Sequence, residues 1–149
     1  FKNILKVASG QDSINGIVFG RVDFAGSLNM SRDDINTQVI TDYCIKISEL
    51  CKLSKLDLVL GGGVSSLSIP AIQKIYSIFL SRFETRKIIF PADSIQNDKI
   101  SSALLEAVHF ELLWLLNKRN YYGSIMSEDN KRIDMLESRW NILKNEGLK

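Results

Sequence analysis

The sequence predicts an α/β fold with parallel strands: the C-terminal portion of a (β/α)8 barrel, followed by extra C-terminal helices. Three observations lead there. Short apolar runs without polar alternation recur along the 149 residues, as strands buried on both faces do. Stretches with helical spacing of apolar residues separate those runs. Three strands alone leave both edges of a sheet open, whereas a complete (β/α)8 barrel takes about 250 residues. Residues 1–97 are therefore expected to supply the last three βα units of a barrel and residues 98–149 its C-terminal helices, within a single domain. A flavodoxin-like sheet is the rival architecture, and its usual form has five strands.

In chain order, Phe1, Ile4, Leu5 and Ala8 recur at helical spacing, and Gly10 suits the helix end. Residues 14–22 read as the first strand, and Ala25-Gly26-Ser27-Leu28-Asn29 as the loop after it. Ser31 is a good N-cap with Asp33 and Asp34 in the following turn. Ile35, Val39, Ile40, Tyr43, Ile47, Leu50 and Cys51 then form one buried helical stripe. Residues 56–60 are the second strand, ending in Gly61-Gly62-Gly63. Ser66 or Ser68 caps a helix through Ile69, Ile72, Ile75, Tyr76 and Phe79, with Pro70 in its first turn. Residues 86–90 are the third strand. A long apolar helix follows over about residues 98–117, Gly123 marks a stop, and Ser127 caps a last helix. In that last helix Ile133, Leu136, Trp140 and Leu143 make a narrow stripe.

Composition excludes several classes. With 45% apolar and 24% charged residues the chain has the make-up of a folded domain, not of a disordered one. A formal charge of +2, with the basic residues scattered, gives no footprint for nucleic acid or an acidic membrane. Cys44 and Cys51 lie seven residues apart on one helix, about 10 Å along its axis, too far for a disulfide. No further thiols complete a zinc site, so both are expected to be buried, reduced and cytoplasmic. No signal peptide is visible, and the most apolar stretch, residues 103–116, contains Glu106, His109 and Glu111 and is too short to span a bilayer.

In parallel α/β architectures function gathers at the C-terminal ends of strands. Asp23 ends the first strand and is the best candidate for a hard divalent cation, which takes carboxylate oxygens and keeps waters; capping a turn, or pairing with Arg21, is the plainer role. Gly61-Gly62-Gly63-Val64-Ser65-Ser66 allows either a phosphate cradle or a tight strand-to-helix turn. Asp93, in Phe90-Pro91-Ala92-Asp93-Ser94, is expected to cap. Glu84-Thr85-Arg86-Lys87 falls at the start of the third strand, the stabilising face of a barrel, and reads as an ion-pair cluster or subunit contact. His109, in an apolar helix, reads as a packing residue.

Ile4-Leu5-Lys6-Val7, followed by Ile14-Asn15-Gly16-Ile17-Val18-Phe19-Gly20-Arg21-Val22-Asp23-Phe24-Ala25-Gly26-Ser27-Leu28, resembles the HpcH/HpaI aldolase and citrate lyase family. Members carry a similar helix and then a strand ending in Gly-x-x-Asp, an apolar residue and small residues. The resemblance implies a phosphoenolpyruvate/pyruvate-type (β/α)8 TIM barrel that makes or cleaves carbon–carbon bonds in 2-oxo acids or acyl-CoA thioesters with Mg2+ or a similar ion such as Mn2+. It implies that Asp23 is a metal ligand. It also implies homo-oligomers formed through the C-terminal helices. Substrate contacts at Ala25, Gly26 and Ser27 are expected from loop position. The family's second ligand, a Glu on the preceding strand, and its substrate-binding Arg have no counterpart in this chain, and Arg21 has no role in the family pattern. Two other functions fit the sequence. One is a phosphate-binding barrel isomerase or synthase built on the glycine run. The other is a non-catalytic truncated barrel acting in assembly.

Overall fold

The computed structural model describes residue 3 and residues 14–146. Within them a four-stranded sheet runs in the order β1 (Gly16–Gly20), β2 (Asp57–Gly61), β3 (Arg82–Glu84), β4 (Ile89–Pro91). The first three strands are parallel, and β4 is antiparallel to β3. Between them lie α1 (Arg21–Ser27), a 3₁₀ turn at Arg32–Asn36, α2 (Gln38–Ser54) and α3 (Ile69–Tyr76). Short 3₁₀ turns also precede α3, at Ser66–Ser68, and lead from Ala92–Gln96 to α4 (Ile100–Glu146). The expected helix over Phe1, Ile4, Leu5, Ala8 and Gly10 lies outside the described residues.

This sheet overturns the barrel expectation. A barrel unit needs a helix after each parallel strand, but β3 turns straight back into β4. The turn is made by the charged run itself. The Thr85 N–H donates to Ile88 O at 2.9 Å, and the Ile88 N–H donates to Thr85 Oγ1 at 3.2 Å. The result is an open mixed sheet with one long terminal helix, not a fragment of a barrel. The third strand thus lies at Arg82–Glu84 rather than at 86–90. The first strand stops at Gly20, and the expected loop after it is helical through Ser27.

One sheet face builds the core. Phe19 pairs in register with Leu60, and Leu60 with Phe83, so the three side chains stand side by side across the parallel strands. With Leu58 they pack in one cluster with Ile40, Cys44, Ile47 and Cys51 of α2 and Ile72 and Ile75 of α3. Of the stripe read from the sequence, Ile40, Ile47 and Cys51 lie on the buried face of α2 and Ile35 is buried in the preceding turn, whereas Leu50 is half-buried and Val39 and Tyr43 are exposed. Ser68 is the N-cap of α3, and Pro70 occupies its first turn.

The chain divides into two compact units, residues 1–111 and 112–149. The second consists of the distal part of α4. Gly123 and Ser127 do not interrupt this helix, which is continuous over 47 residues. One glycine costs only about 1 kcal/mol against alanine, too little to break so long a run of backbone hydrogen bonds. Over Ile100–Ile142 the helix is long and apolar enough to cross a membrane, by length and composition only. Leu104 and Ala107, within that span, are buried in the first unit.

Candidate functional site

The C-terminal ends of β1, β2 and β3 meet at a cavity of about 590 Å³. Its floor is Val18 and Gly20 of β1 and Gly61 of β2. Its charged lining is Asp23, Glu84 and Glu111 against Arg32 and Arg86. Arg86 Nη1 lies 3.8 Å from Glu111 Oε1.

Asp23 reaches this cavity because α1 begins directly after β1 and places it in the first helical turn, where the helix dipole favours an acid. Gly20 and Gly61 are register partners on adjacent strands. A methyl group on Gly20 would meet Asp23 Oδ2 at 2.9 Å, and one on Gly61 would meet Glu84 Oε1 at 3.0 Å. Two carboxylates therefore lie over glycines of adjacent strands, whose backbones run about 4.8 Å apart. Among the described residues neither has an ion-pair or hydrogen-bond partner.

Arg21, two residues before Asp23, goes the other way. It is only 1% exposed. Its Nη1 donates to Asn36 Oδ1 at 2.9 Å, and its Nη2 donates to Gly62 O at 2.9 Å and Ser68 Oγ at 3.1 Å. Nε donates to Gly61 O at 3.4 Å. Ser68 in turn donates to Asn36 Oδ1 at 3.0 Å. The guanidinium thus ties the end of β1 to the glycine run, the Arg32–Asn36 turn and the start of α3. Burial lowers its pKa from the usual arginine value, with nearby Cys44 acting against that shift. Burial pushes the Cys44 thiol up to about 12, and Arg21 opposes it.

The glycine run is explained by this packing. Gly62 and Gly63 have φ of +84° and +63°, the region that favours glycine. A methyl group on Gly62 would come within 2.7 Å of the Arg21 and Val22 backbone nitrogens, and one on Gly63 within 2.4 Å of Ile35 Cδ1. At the start of α3 the Arg21, Ser68 and Asn36 side chains hydrogen-bond to one another.

Of the residues singled out from the sequence, Asp23 and Gly61 to Gly63 line the cavity. Ala25, Gly26 and Ser27 do not: Ala25 is fully buried, and the Ser27 hydroxyl donates to Phe24 O. Asp93 sits in the first turn of the Ala92–Gln96 segment after β4, away from the cavity. His109 is exposed, 4.0 Å from Glu106, so it is not a packing residue. Cys44 and Cys51 are buried and unbridged. Sequence reasoning misses Glu84 and Arg86 as site residues because it puts the third strand at 86–90 rather than at Arg82–Glu84. The ion pair at the strand starts is instead Arg82 with Asp57, at 2.7 Å. The one usable signal was Phe83, a lone aromatic between charged residues, which marks a short strand with one buried side chain. No set of three His, Cys, Asp or Glu side chains able to hold a metal ion gathers among the described residues. Comparison with family models, curated proteins and solved structures finds no match.

Proposed function

We propose that the cavity binds a divalent cation such as Mg2+ or Mn2+ between Asp23 and Glu84, and that the protein is a carbon–carbon lyase or aldolase acting on a 2-oxo acid or acyl-CoA-type substrate. The observation that carries this is the pair of unpartnered carboxylates over Gly20 and Gly61. The donor set suits a hard cation of the Mg2+ type, which takes one or two carboxylates and fills its remaining positions with water and substrate oxygens. When bound, such an ion supplies positive charge against the negative charge that develops on a carbonyl oxygen during carbon–carbon cleavage. The chain's own residues do the rest. Asp23 and Glu84 hold the ion. Arg32 and Arg86 draw in the carboxylate of an anionic substrate. The two glycines leave these carboxylates room to lie against the strands. The likeness of residues 4–28 to the HpcH/HpaI family supports the same chemistry, with Glu84 offering the second carboxylate that the family takes from another strand.

The half-reaction common to such substrates is enolisation. Pyruvate in D2O with Mn2+ and the protein should exchange its methyl protons, followed by NMR, faster than with Mn2+ alone. Asp23→Asn and Glu84→Gln should each return exchange to that background. Wild-type exchange equal to background would sink the proposal. Persistence in Asp23→Asn would remove Asp23 from it.

A further inference from the structure

We infer that residues 112–140 of α4 form an antiparallel coiled coil with a second copy of the chain, in one defined register. Leu112, Leu115, Arg119, Tyr122, Met126, Asp129, Ile133, Leu136 and Trp140 follow the alternating three- and four-residue spacing of a coiled-coil seam. Every apolar member of this series is exposed, from 46% at Leu115 to 65% at Met126 and Trp140. Leu116 and Ile125 flank the stripe. Off it, Trp114 lies beneath the Lys118 ammonium, 5.3 Å from the ring centroid.

The two charges within the stripe choose the partner and the direction. A parallel in-register pair would stack Arg119 on Arg119 and Asp129 on Asp129. In an antiparallel pair the two kinds of seam position face each other. With the two-fold axis at Ser124, Arg119 faces Asp129 of the second copy, Tyr122 faces Met126, Leu115 faces Ile133, and Leu112 faces Leu136. Every apolar seam residue from Leu112 to Leu136 then meets an apolar one, and the only polar residues meet each other with opposite charge. Sliding the register by one heptad either way sets Arg119 against Tyr122 or Leu136, and Asp129 against Leu112 or Met126. A lipid surface offers no such match, because it would meet two opposite charges in the middle of the apolar stripe. Gly123 adds an independent sign. A methyl group there meets nothing within 4 Å in the single chain, so a helix-weakening residue stands where the lone helix gives no reason for it. In this register Gly123 of the two copies flank the axis, where the helices approach.

Sedimentation equilibrium of the full chain tests the pairing. Wild type should be a dimer. Arg119→Asp or Asp129→Arg alone should raise the dimer dissociation constant at least about 100-fold, since each change sets like charges together twice. The double variant R119D/D129R restores the pair with reversed polarity and should return to within about tenfold of wild type. Its composition equals that of wild type, so recovery separates pairing from folding. A Leu112→Cys chain mixed with a Leu136→Cys chain should form the mixed disulfide. A monomer at all concentrations, single variants that dimerise like wild type, or Leu112→Cys chains that bridge to each other would overturn the assignment. So would co-sedimentation with anionic vesicles in place of self-association.

Discussion

Replacing Arg21 with Met should strip protection from the parallel strands while leaving the distal part of α4, from Leu112 on, untouched. The three shorter guanidinium bonds, to Asn36, Gly62 and Ser68, contribute about 1.5–3 kcal/mol each as charged donors. Against this, removing the guanidinium recovers its own burial cost of several kcal/mol. Methionine fills the volume but leaves Gly62 O and Ser68 Oγ short of a donor. With about 1–3 kcal/mol for each buried acceptor left short of a donor, the balance is a loss of about 3–5 kcal/mol. Arg21→Lys keeps the charge but not the fork, and should lose roughly half as much. The assay must see the sheet. Both tryptophans, Trp114 and Trp140, lie in α4, so fluorescence reports the second unit. Native-state hydrogen exchange on peptides covering β2 is the measurement. Protection there should fall by roughly two to four orders of magnitude, at about 1.4 kcal/mol per tenfold. A fall of less than tenfold would show that the network does not hold the strand ends together.

Gly62→Ala should lose about 2–4 kcal/mol, because its methyl group meets backbone nitrogens of Arg21 and Val22 that cannot yield; equal denaturation midpoints for the two proteins would refute this. Cys44 should stay unmodified by a thiol reagent at pH 8 in the folded chain and react on unfolding. Its folded pKa of about 12 lies above the ordinary 9.0, so its contribution is complete below pH 9 and is lost as pH rises towards 12. Cys44→Ala should flatten that decline in urea midpoints, and an unchanged slope would count against it. Asp23→Asn and Glu84→Gln should leave the metal-free protein within a few tenths of a kcal/mol of wild type, since neither carboxylate has a side-chain partner to lose and Asp23 gives up only its attraction to the start of α1. With cation at ten times its dissociation constant, wild type should gain about 1.4 kcal/mol and the variants nothing. A variant that still gains would exclude that residue as a ligand.

The parts of the fold legible in the sequence were those with long, pure patterns. Residues 17–20 and 58–61 are apolar or glycine without a break, and both proved to be parallel strands in one sheet. The α2 stripe and the Ser68–Pro70 start of α3 were equally plain. β3 was not, because three residues with one buried side chain carry no period. Ile88, Ile89 and Phe90 make the more convincing strand on composition, and choosing them moved Glu84 from the end of a strand to the beginning of one. That displacement cost the site its second carboxylate. The hairpin was hidden for a related reason: its turn uses the Thr85 hydroxyl and no glycine or proline. That Asp23 lines the cavity is legible because a strand-end acid is read from position alone.

Arg21 and Asp23 show where position alone stops. Both follow the same strand end, and a search for charged residues there selects both. Their fates are separated by what lies within reach. Arg21 finds two glycine carbonyls, an amide oxygen and a hydroxyl, and can therefore be buried without an acid beside it. Those acceptors come from three later segments of the chain, so no local pattern announces them. Asp23 finds none, and an anion without donors stays where water, or a cation, can reach it. A stability measurement is therefore sensitive to Arg21 and nearly blind to Asp23, while a ligand titration responds to Asp23 directly. Arg21 affects the same titration only by holding the turn from which Asp23 projects. If both substitutions abolished cation binding, restoration by higher cation concentration would tell them apart. A displaced site binds weakly and can be saturated, whereas a site missing an oxygen ligand stays weak after the strand ends are re-formed.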